Sequence, residues 1–131
     1  MISGIVIHVS DQEHALEFYI EKLGFEIKFN MELPGGGRWI EVAPKNSTTT
    51  ISLSVPSQHN GNEWYEWGKN RLGKHTGIWF DTVDIQTTYQ ELKNKGVNIL
   101  EPKREEWGGI MSEIQDPFDN GFTLVMTPKS E

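Results

Sequence analysis

The sequence predicts an α+β fold built from two βαβββ modules, and three observations carry that prediction. The stretch GIVIHVSDQEHALEFYIEKLGF from Gly4 is echoed by GIWFDTVDIQTTYQELKNKGV from Gly77, with Gly4 on Gly77, Ile5 on Ile78 and Asp11 on Asp84 at one constant offset; such self-similarity reads as an internal duplication. Each copy runs from an apolar segment of strand length through an acidic residue and an amphipathic helix pattern to a glycine and a new β-rich segment. The length of 131 residues suffices for one substantial core but hardly for two independent ones. The modules are therefore read as one domain, with module one at 1–55, a connector at 56–76 and module two at 77–131.

In chain order, Ile5, Ile7 and Val9 alternate with Val6 and His8, the period of a strand with one dominantly apolar face. Ser10 and Glu13 have capping-box spacing and Asp11 adds negative charge to the first turn, so a helix is expected to begin there. Ala15, Phe18, Tyr19 and Leu23 fall on one helical face, and Gly24 supplies the stop. Phe25 to Leu33 reads as a strand turned at Pro34-Gly35-Gly36-Gly37, followed by strands at Arg38 to Ala43 and Thr49 to Val55. The connector is rich in Gly and Asn but carries Trp64, Tyr65 and Trp67; these aromatics are expected to cover the seam between modules, with a lid or a dimer contact as the alternatives. His14, His59 and His75 are read as solvent-facing and without a role. In module two, Gly77 to Val83 is a strand, Asp84 caps a helix with Ile85, Thr88, Tyr89 and Leu92 as its buried stripe, and Gly96 ends it. Strands follow at Val97 to Leu100, Ile110 to Gln115 and Phe122 to Thr127, with Asn120-Gly121 as a hairpin signal and Lys129 to Glu131 as a polar tail.

Composition limits the function classes. A formal charge of -7 without a basic stripe argues against nucleic acid. Cysteine is absent, which removes disulfides and thiolate chemistry. No apolar run reaches membrane-spanning length and no signal-like N-terminus is present, so a soluble cytoplasmic protein with no membrane partner is expected.

The strings VSDQEHALEFYIEKLGFEI, GGGRWIEVAP, VDIQTTYQELKNKGV and WGGIMSEIQDPFDNGFTLV resemble the vicinal oxygen chelate superfamily, which includes glyoxalase I, bleomycin-resistance proteins and extradiol dioxygenases. The resemblance covers nearly the whole chain except the connector. It implies paired βαβββ modules whose curved mixed sheet surrounds a cleft, with helices on the outer face, commonly in a homodimer. The family's Asp-Pro-Asp-Gly-Asn turn stands here as Asp116-Pro117-Phe118-Asp119-Asn120. Enzymes of that family hold a divalent ion with His or Gln on the first strand and Glu on the fourth strand of each module. Carried over, those positions are Gly4, Ser52, Gly77 and Thr123. Glycine has no side chain and neutral hydroxyls do not make a catalytic metal site, so no cofactor is expected and Lewis-acid catalysis is in doubt.

Strand alternation assigns the faces. Ile5, Ile7, Ile40, Val42, Ile51, Leu53, Ile78, Phe80, Ile110, Ile114, Phe122 and Leu124 are expected to bury the helices. The opposite, cleft-lining face carries the candidate ligand-binding residues His8, Trp39, Glu41, Ser52, Trp79, Asp81, Met111, Glu113 and Thr123. No Arg or Lys is placed on it: Arg38 falls on the helix side, and Arg71 and Arg104 lie in loops. An ordinary solvated sheet face would also alternate polar residues, but two indoles count against that. The expectation is a metal-free protein that binds a small organic ligand, cationic or aromatic, as the drug-sequestering resistance proteins do. The alternative is a lyase or dioxygenase with a metal relocated to His8, Glu41, Asp81 and Glu113, or an acid/base catalyst using His8 and a carboxylate. A scaffold docking a protein through Trp64 and Trp67 is a third class. The sequence leaves the catalytic residues unknown.

Overall fold

The computed structural model describes residues 1–128, so the expected polar tail lies outside the described residues. Two compact units divide the chain, Met1–Leu72 and the residues from Gly73 onward.

In the first unit, β1 (Gly4–His8) runs parallel to β4 (Thr50–Ser54), which pairs antiparallel with β3 (Arg38–Ala43), which pairs with β2 (Glu26–Glu32). The mixed sheet has the order β1-β4-β3-β2, so β1 and β2 are its edges. The parallel β1–β4 pair needs a crossover, and α1 (Gln12–Leu16) begins it. The expected Ser10–Glu13 capping box is replaced by an Asp11 cap, whose Oδ1 accepts the His14 N–H at 3.0 Å. The reason lies in what Glu13 does instead: it pairs with the Arg38 guanidinium rather than reaching back. The neighbouring Gln12 amide donates to the carbonyls of Arg38 and Leu53, at 2.7 and 2.9 Å, and so ties the helix start to two strands.

The helix widens into a π-helical segment, Glu17–Lys22, with the Leu23 N–H bonded to the Phe18 carbonyl. Wider winding shifts the buried stripe relative to a 3.6-residue period. Ala15, Phe18 and Tyr19 are buried as expected, Leu23 is only half-buried, and Phe25 joins the core after Gly24. Ile7, Ile40, Val42, Ile51 and Leu53 fill the apolar side of the sheet. Ile5 does not join them: burial rises along β1 from Gly4 to His8, and Ile5 stays 39% exposed near its open start.

The connector is more regular than its composition suggested. A 3₁₀ turn at Gln58–Asn60 leads into α2 (Asn62–Arg71). Trp64 and Trp67 on this helix meet His8, with ring centroids 6.1 and 4.9 Å away.

The second unit repeats the plan. β5 (His75–Asp81) is parallel to β9 (Gly121–Met126), which pairs antiparallel with β8 (Ile110–Gln115). The short strands β6 (Asn98–Ile99) and β7 (Lys103–Arg104) both pair with β8. Asp84 caps α3 (Ile85–Asn94), accepting the Thr87 N–H at 3.1 Å and the Thr87 hydroxyl at 2.8 Å. Ile85 and Leu92 are buried, while Thr88 and Tyr89 are half-buried. The β8–β9 turn is organised by Asp116 rather than by Asn120-Gly121. The Asp116 side chain accepts the N–H groups of Phe118 and Asn120, and the left-handed residue is Asp119 at φ 67°. Asn120 is buried, and its side-chain oxygen accepts the Gly73 N–H at 2.9 Å.

Candidate functional site

Register decides which side chains share a face. In the first unit Val6 lies opposite Ser52, Ser52 opposite Glu41, and Glu41 opposite Phe29, while Trp39 lies opposite Met31. Cross-strand partners point to the same side of a sheet, so Trp39, Glu41, Phe29 and Met31 form one surface. Phe29 and Met31 were not assigned to it from the sequence. The β2–β3 register shifts between Ile27 and Phe29, and this bulge resets which residues of β2 share the Glu41 face.

Glu41 sits at the centre of this surface. The Trp39 indole N–H donates to Oε2 at 2.7 Å and the Thr50 hydroxyl donates to Oε1 at 2.6 Å. These two donors, Thr50 first, hold the carboxyl below its usual range, against a smaller opposing effect of burial. Among the described residues Glu41 has no basic ion-pair partner within salt-bridge distance. Alongside lies a groove of about 810 Å³ whose walls include Trp39, Trp64, Ser54, Pro34 and Pro56.

Two expected members of the face lie deeper. His8 is 2% exposed, set edge-on to Trp64 and Trp67 and so close to Gly68 that a Cβ there would come within 2.7 Å of its ring. Burial, and then the Arg71 charge, lower its pKa from 6.5. Arg71 ends α2 instead of lying in a loop, with its guanidinium 5.4 Å from the Trp67 ring centre. Ser52 is 4% exposed, and its hydroxyl finds no hydrogen-bond partner among the described residues.

In the second unit Glu113 lies opposite Thr123 and Thr123 opposite Trp79, while Met111 lies opposite Val125 and Val125 opposite Asp81. Trp79 is 64% exposed. Lys103 lies opposite Met111 and so shares this face, a correction to the expectation of no basic residue there. Its short strand lies inside the segment read from sequence as a loop.

His75, read from sequence as solvent-facing and without a role, is exposed as expected, but it makes contacts that this reading did not include. The strand begins at His75, not Gly77, and its register slips: His75 lies opposite Gly121 and Trp79 opposite Thr123, so that five residues of β5 stand against three of β9. Gly77 makes the slip possible at φ 76°, a left-handed conformation that a side chain would strain. The Thr76 hydroxyl secures it, donating to the Gly121 carbonyl at 2.8 Å and accepting the Ile78 N–H. His75 Nδ1 accepts the Gly77 N–H at 2.9 Å, so in the neutral ring the proton resides on Nε2. Nε2 lies 3.0 Å from Glu113 Oε2 and 3.1 Å from the Thr123 hydroxyl, which itself donates to Glu113 Oε1 at 2.9 Å. Both ring nitrogens are thus engaged, and His75 orients Glu113. The adjoining pocket, about 490 Å³, is also lined by Asn98, Leu100 and Gln115. The sequence did hold a signal for this, a glycine inside a strand pattern.

The metal positions can be judged on the same chemistry. Gly4 and Gly77 contribute no side chain, Ser52 a neutral hydroxyl, and Thr123 a hydroxyl already donated to Glu113. This donor set does not fit a catalytic divalent ion. Among the described residues no cluster of three or more His, Asp or Glu side chains is arranged as an alternative metal site.

The family profile of the Glyoxalase/Bleomycin resistance protein/Dioxygenase superfamily matches residues 2–124. The chain belongs to that superfamily. Within it, a member from Sphaerobacter thermophilus DSM 20745 has a crystal structure that is 35% identical, covers 97% of each chain and superposes with a TM-score of 0.84. TnmS3, an antibiotic binding protein from Streptomyces sp. CB03234, is 26% identical over 98% of this chain and 96% of its own, with a TM-score of 0.78. The uncharacterized protein YetH of Bacillus subtilis (strain 168) is 32% identical over 124 residues, 94% of this chain and 95% of its own. These likenesses agree with the α+β architecture of two mixed sheets. Among the described residues no helix is long and apolar enough to cross a membrane.

Proposed function

We infer that this superfamily member binds a small cationic or aromatic organic molecule without a resident metal, and sequesters it rather than transforming it. The observation that carries this reading is the Trp39–Glu41–Thr50 network. Both carboxylate oxygens accept hydrogen bonds from neutral donors, which keep the group ionised without cancelling its charge. An ionised carboxylate beside an indole and the exposed side chains of Phe29 and Met31 suits a ligand that is both flat and positively charged. An anionic ligand would call for an Arg or Lys fork, and Arg38, at the start of the same strand, is committed to Glu13. The antibiotic-binding relative supports the sequestering role as an analogy. The remaining candidates, Trp79, Asp81, Met111, Glu113 and Thr123, belong to the proposal as a second acidic and aromatic surface, moderated by Lys103. The working context of this reading is a cytoplasmic homodimer.

One observation favours a second reading, acid/base catalysis, and that is the His75–Glu113–Thr123 network. A general base needs an open lone pair within reach of the substrate proton. His75 Nδ1 is occupied by the Gly77 N–H, so the binding reading stands first. Titrating matched cationic, neutral and anionic aromatic compounds against intrinsic Trp fluorescence tests the proposal. The cation should bind tightest and be recovered unchanged. Tightest binding by the anion refutes the acidic-site reading, and conversion of the bound compound moves the protein to the enzyme class.

A further inference from the structure

Trp39 serves two neighbouring features at once. Its indole N–H donates to Glu41 Oε2 at 2.7 Å, and the same side chain lines the groove of about 810 Å³. The carboxylate and the groove therefore adjoin across a single indole, yet they differ in character. Around Glu41 the side chains of Phe29 and Met31 are exposed on a strand face, which covers a flat ring from one side only. The groove has the volume of sites that enclose a drug-sized molecule.

This groove is built from two segments that are held in place by bonds of their own. One is the turn after β2, closed by the Gly36 N–H on the Leu33 carbonyl at 3.2 Å and by the Leu33 N–H on the Gly37 carbonyl at 3.0 Å. The other runs from the end of β4 through the connector to Trp64. The two meet where the His59 ring rests on Gly35, so closely that a Cβ there would lie 2.4 Å from Nε2. Gln12, also in the lining, ties the start of α1 to β3 and β4 through its bonds to the Arg38 and Leu53 carbonyls. A site shaped in advance loses little conformational freedom when it is filled. Its lining is also close to neutral. None of the described residues lining it is acidic, and the guanidinium of Arg38, the one permanent charge among them, is paired with Glu13. The groove thus offers a cation no counter-charge; it offers carbon surface, from the indoles of Trp39 and Trp64 and the rings of Pro34 and Pro56.

We propose that the ligand is bipartite: a flat cationic head held by Glu41 and Trp39, and an uncharged flexible arm that passes Trp39 and fills the groove toward Trp64. The proposal rests on the binding reading given above and narrows its ligand class to amphipathic cations. Charge is recognised on the open face and length in the groove, with Trp39 in contact with both parts. Each methylene fully removed from water favours binding about fourfold, so the arm sets most of the affinity and the head sets its place.

N-methylquinolinium and N-butylquinolinium share a flat cationic head and differ by three methylenes. In calorimetric titration the butyl compound should bind at least about tenfold tighter, short of the roughly 60-fold that complete burial of the arm would give. Glu41→Gln should weaken both compounds alike and leave that ratio intact. Ser54→Leu, which fills the groove at the end of β4, should reduce the ratio to below about threefold. A quinolinium whose butyl arm ends in a diazirine supplies a second readout on the unaltered protein, independent of how the Ser54 variant folds. Its photolabel should map by peptide mass spectrometry to residues 33–39 or 54–64. Equal affinities of the two compounds, a ratio that survives Ser54→Leu, or a label confined to other residues overturns the bipartite ligand and leaves the acidic-site reading in place. Failure of both compounds to bind, or a methyl compound indifferent to Glu41→Gln, overturns that reading and this inference with it.

Discussion

Replacing Glu41 by Gln removes one charge and one acceptor while keeping the shape of the side chain. Two donors converge on the carboxylate, the Trp39 indole N–H at 2.7 Å and the Thr50 hydroxyl at 2.6 Å. A carboxamide has one oxygen, so one donor must now meet an amide nitrogen. Indole can only donate, whereas a hydroxyl can rotate and accept. The expected arrangement keeps Trp39 on the amide oxygen and turns Thr50 round to accept. Stability then falls only by the difference between charge-assisted and neutral hydrogen bonds, about 1 kcal/mol. Affinity for a cation falls further. A unit charge about 4 Å away contributes ~1 kcal/mol in bulk water and ~4 kcal/mol at the effective dielectric of a protein surface. For a half-exposed group the lower half of that range applies, about 1–2 kcal/mol, or roughly 5- to 30-fold in Kd. Parallel calorimetric titrations of a cationic aromatic compound and its neutral isostere, with urea unfolding of both proteins, separate the two effects. The neutral compound should be affected less than about twofold. If it lost as much affinity as the cation, shape rather than charge would be responsible; if neither changed, Glu41 would not face the ligand.

Other outcomes follow from single contacts. Burial and Arg71 lower the folded-state pKa of His8 from 6.5, so folding favours the neutral ring. Its stabilising contribution is fully present above that value and is lost as pH falls from it toward the lower folded pKa. His8→Gln should flatten the decline in unfolding free energy over this window, and an unchanged pH slope would count against the assignment. Gly77→Ala places a side chain at φ 76°, and should destabilise the second unit by about 1–2 kcal/mol. It should also release His75 Nδ1, visible as a change in the imidazole nitrogen shifts; an identical ring spectrum would show that the slip does not hold the tautomer. Gly68→Ala should destabilise by about 1–3 kcal/mol through overpacking on His8, despite the better helix propensity of alanine, and a gain in stability would contradict the close approach.

The two modules were legible because polarity repeats every second residue along the buried strands, which is why Ile40, Val42, Ile51 and Leu53 are where alternation placed them. The Trp39–Glu41 pair was legible for the same reason. What escaped were irregularities of the backbone, which polarity does not encode. The bulge at Lys28 brought Phe29 beside Glu41 and Met31 beside Trp39, and the slip at Thr76-Gly77 brought His75 onto Glu113. The π-helical turn displaced Leu23 from the core stripe by the same kind of local change. Helix α2 was missed because Gly61 supplies no capping side chain and the aromatics Trp64, Tyr65 and Trp67 do not by themselves announce a helical face. His8 obeyed the alternation, but its position under α2 depended on that unrecognised helix.

The central claim is that an acidic aromatic surface binds a cationic organic molecule with no metal in attendance. Its most direct test is calorimetric titration of tag-free protein, stripped with a chelator and checked by element analysis, with a cationic aromatic compound and its anionic isostere, before and after adding divalent zinc, nickel or iron. The account predicts saturable binding of the cation by the stripped protein, unchanged by any of the three ions, and weaker binding of the anion. Binding that appears only when an ion is restored, or a stoichiometric ion held at Gly4, Ser52, Gly77 and Thr123, would contradict it.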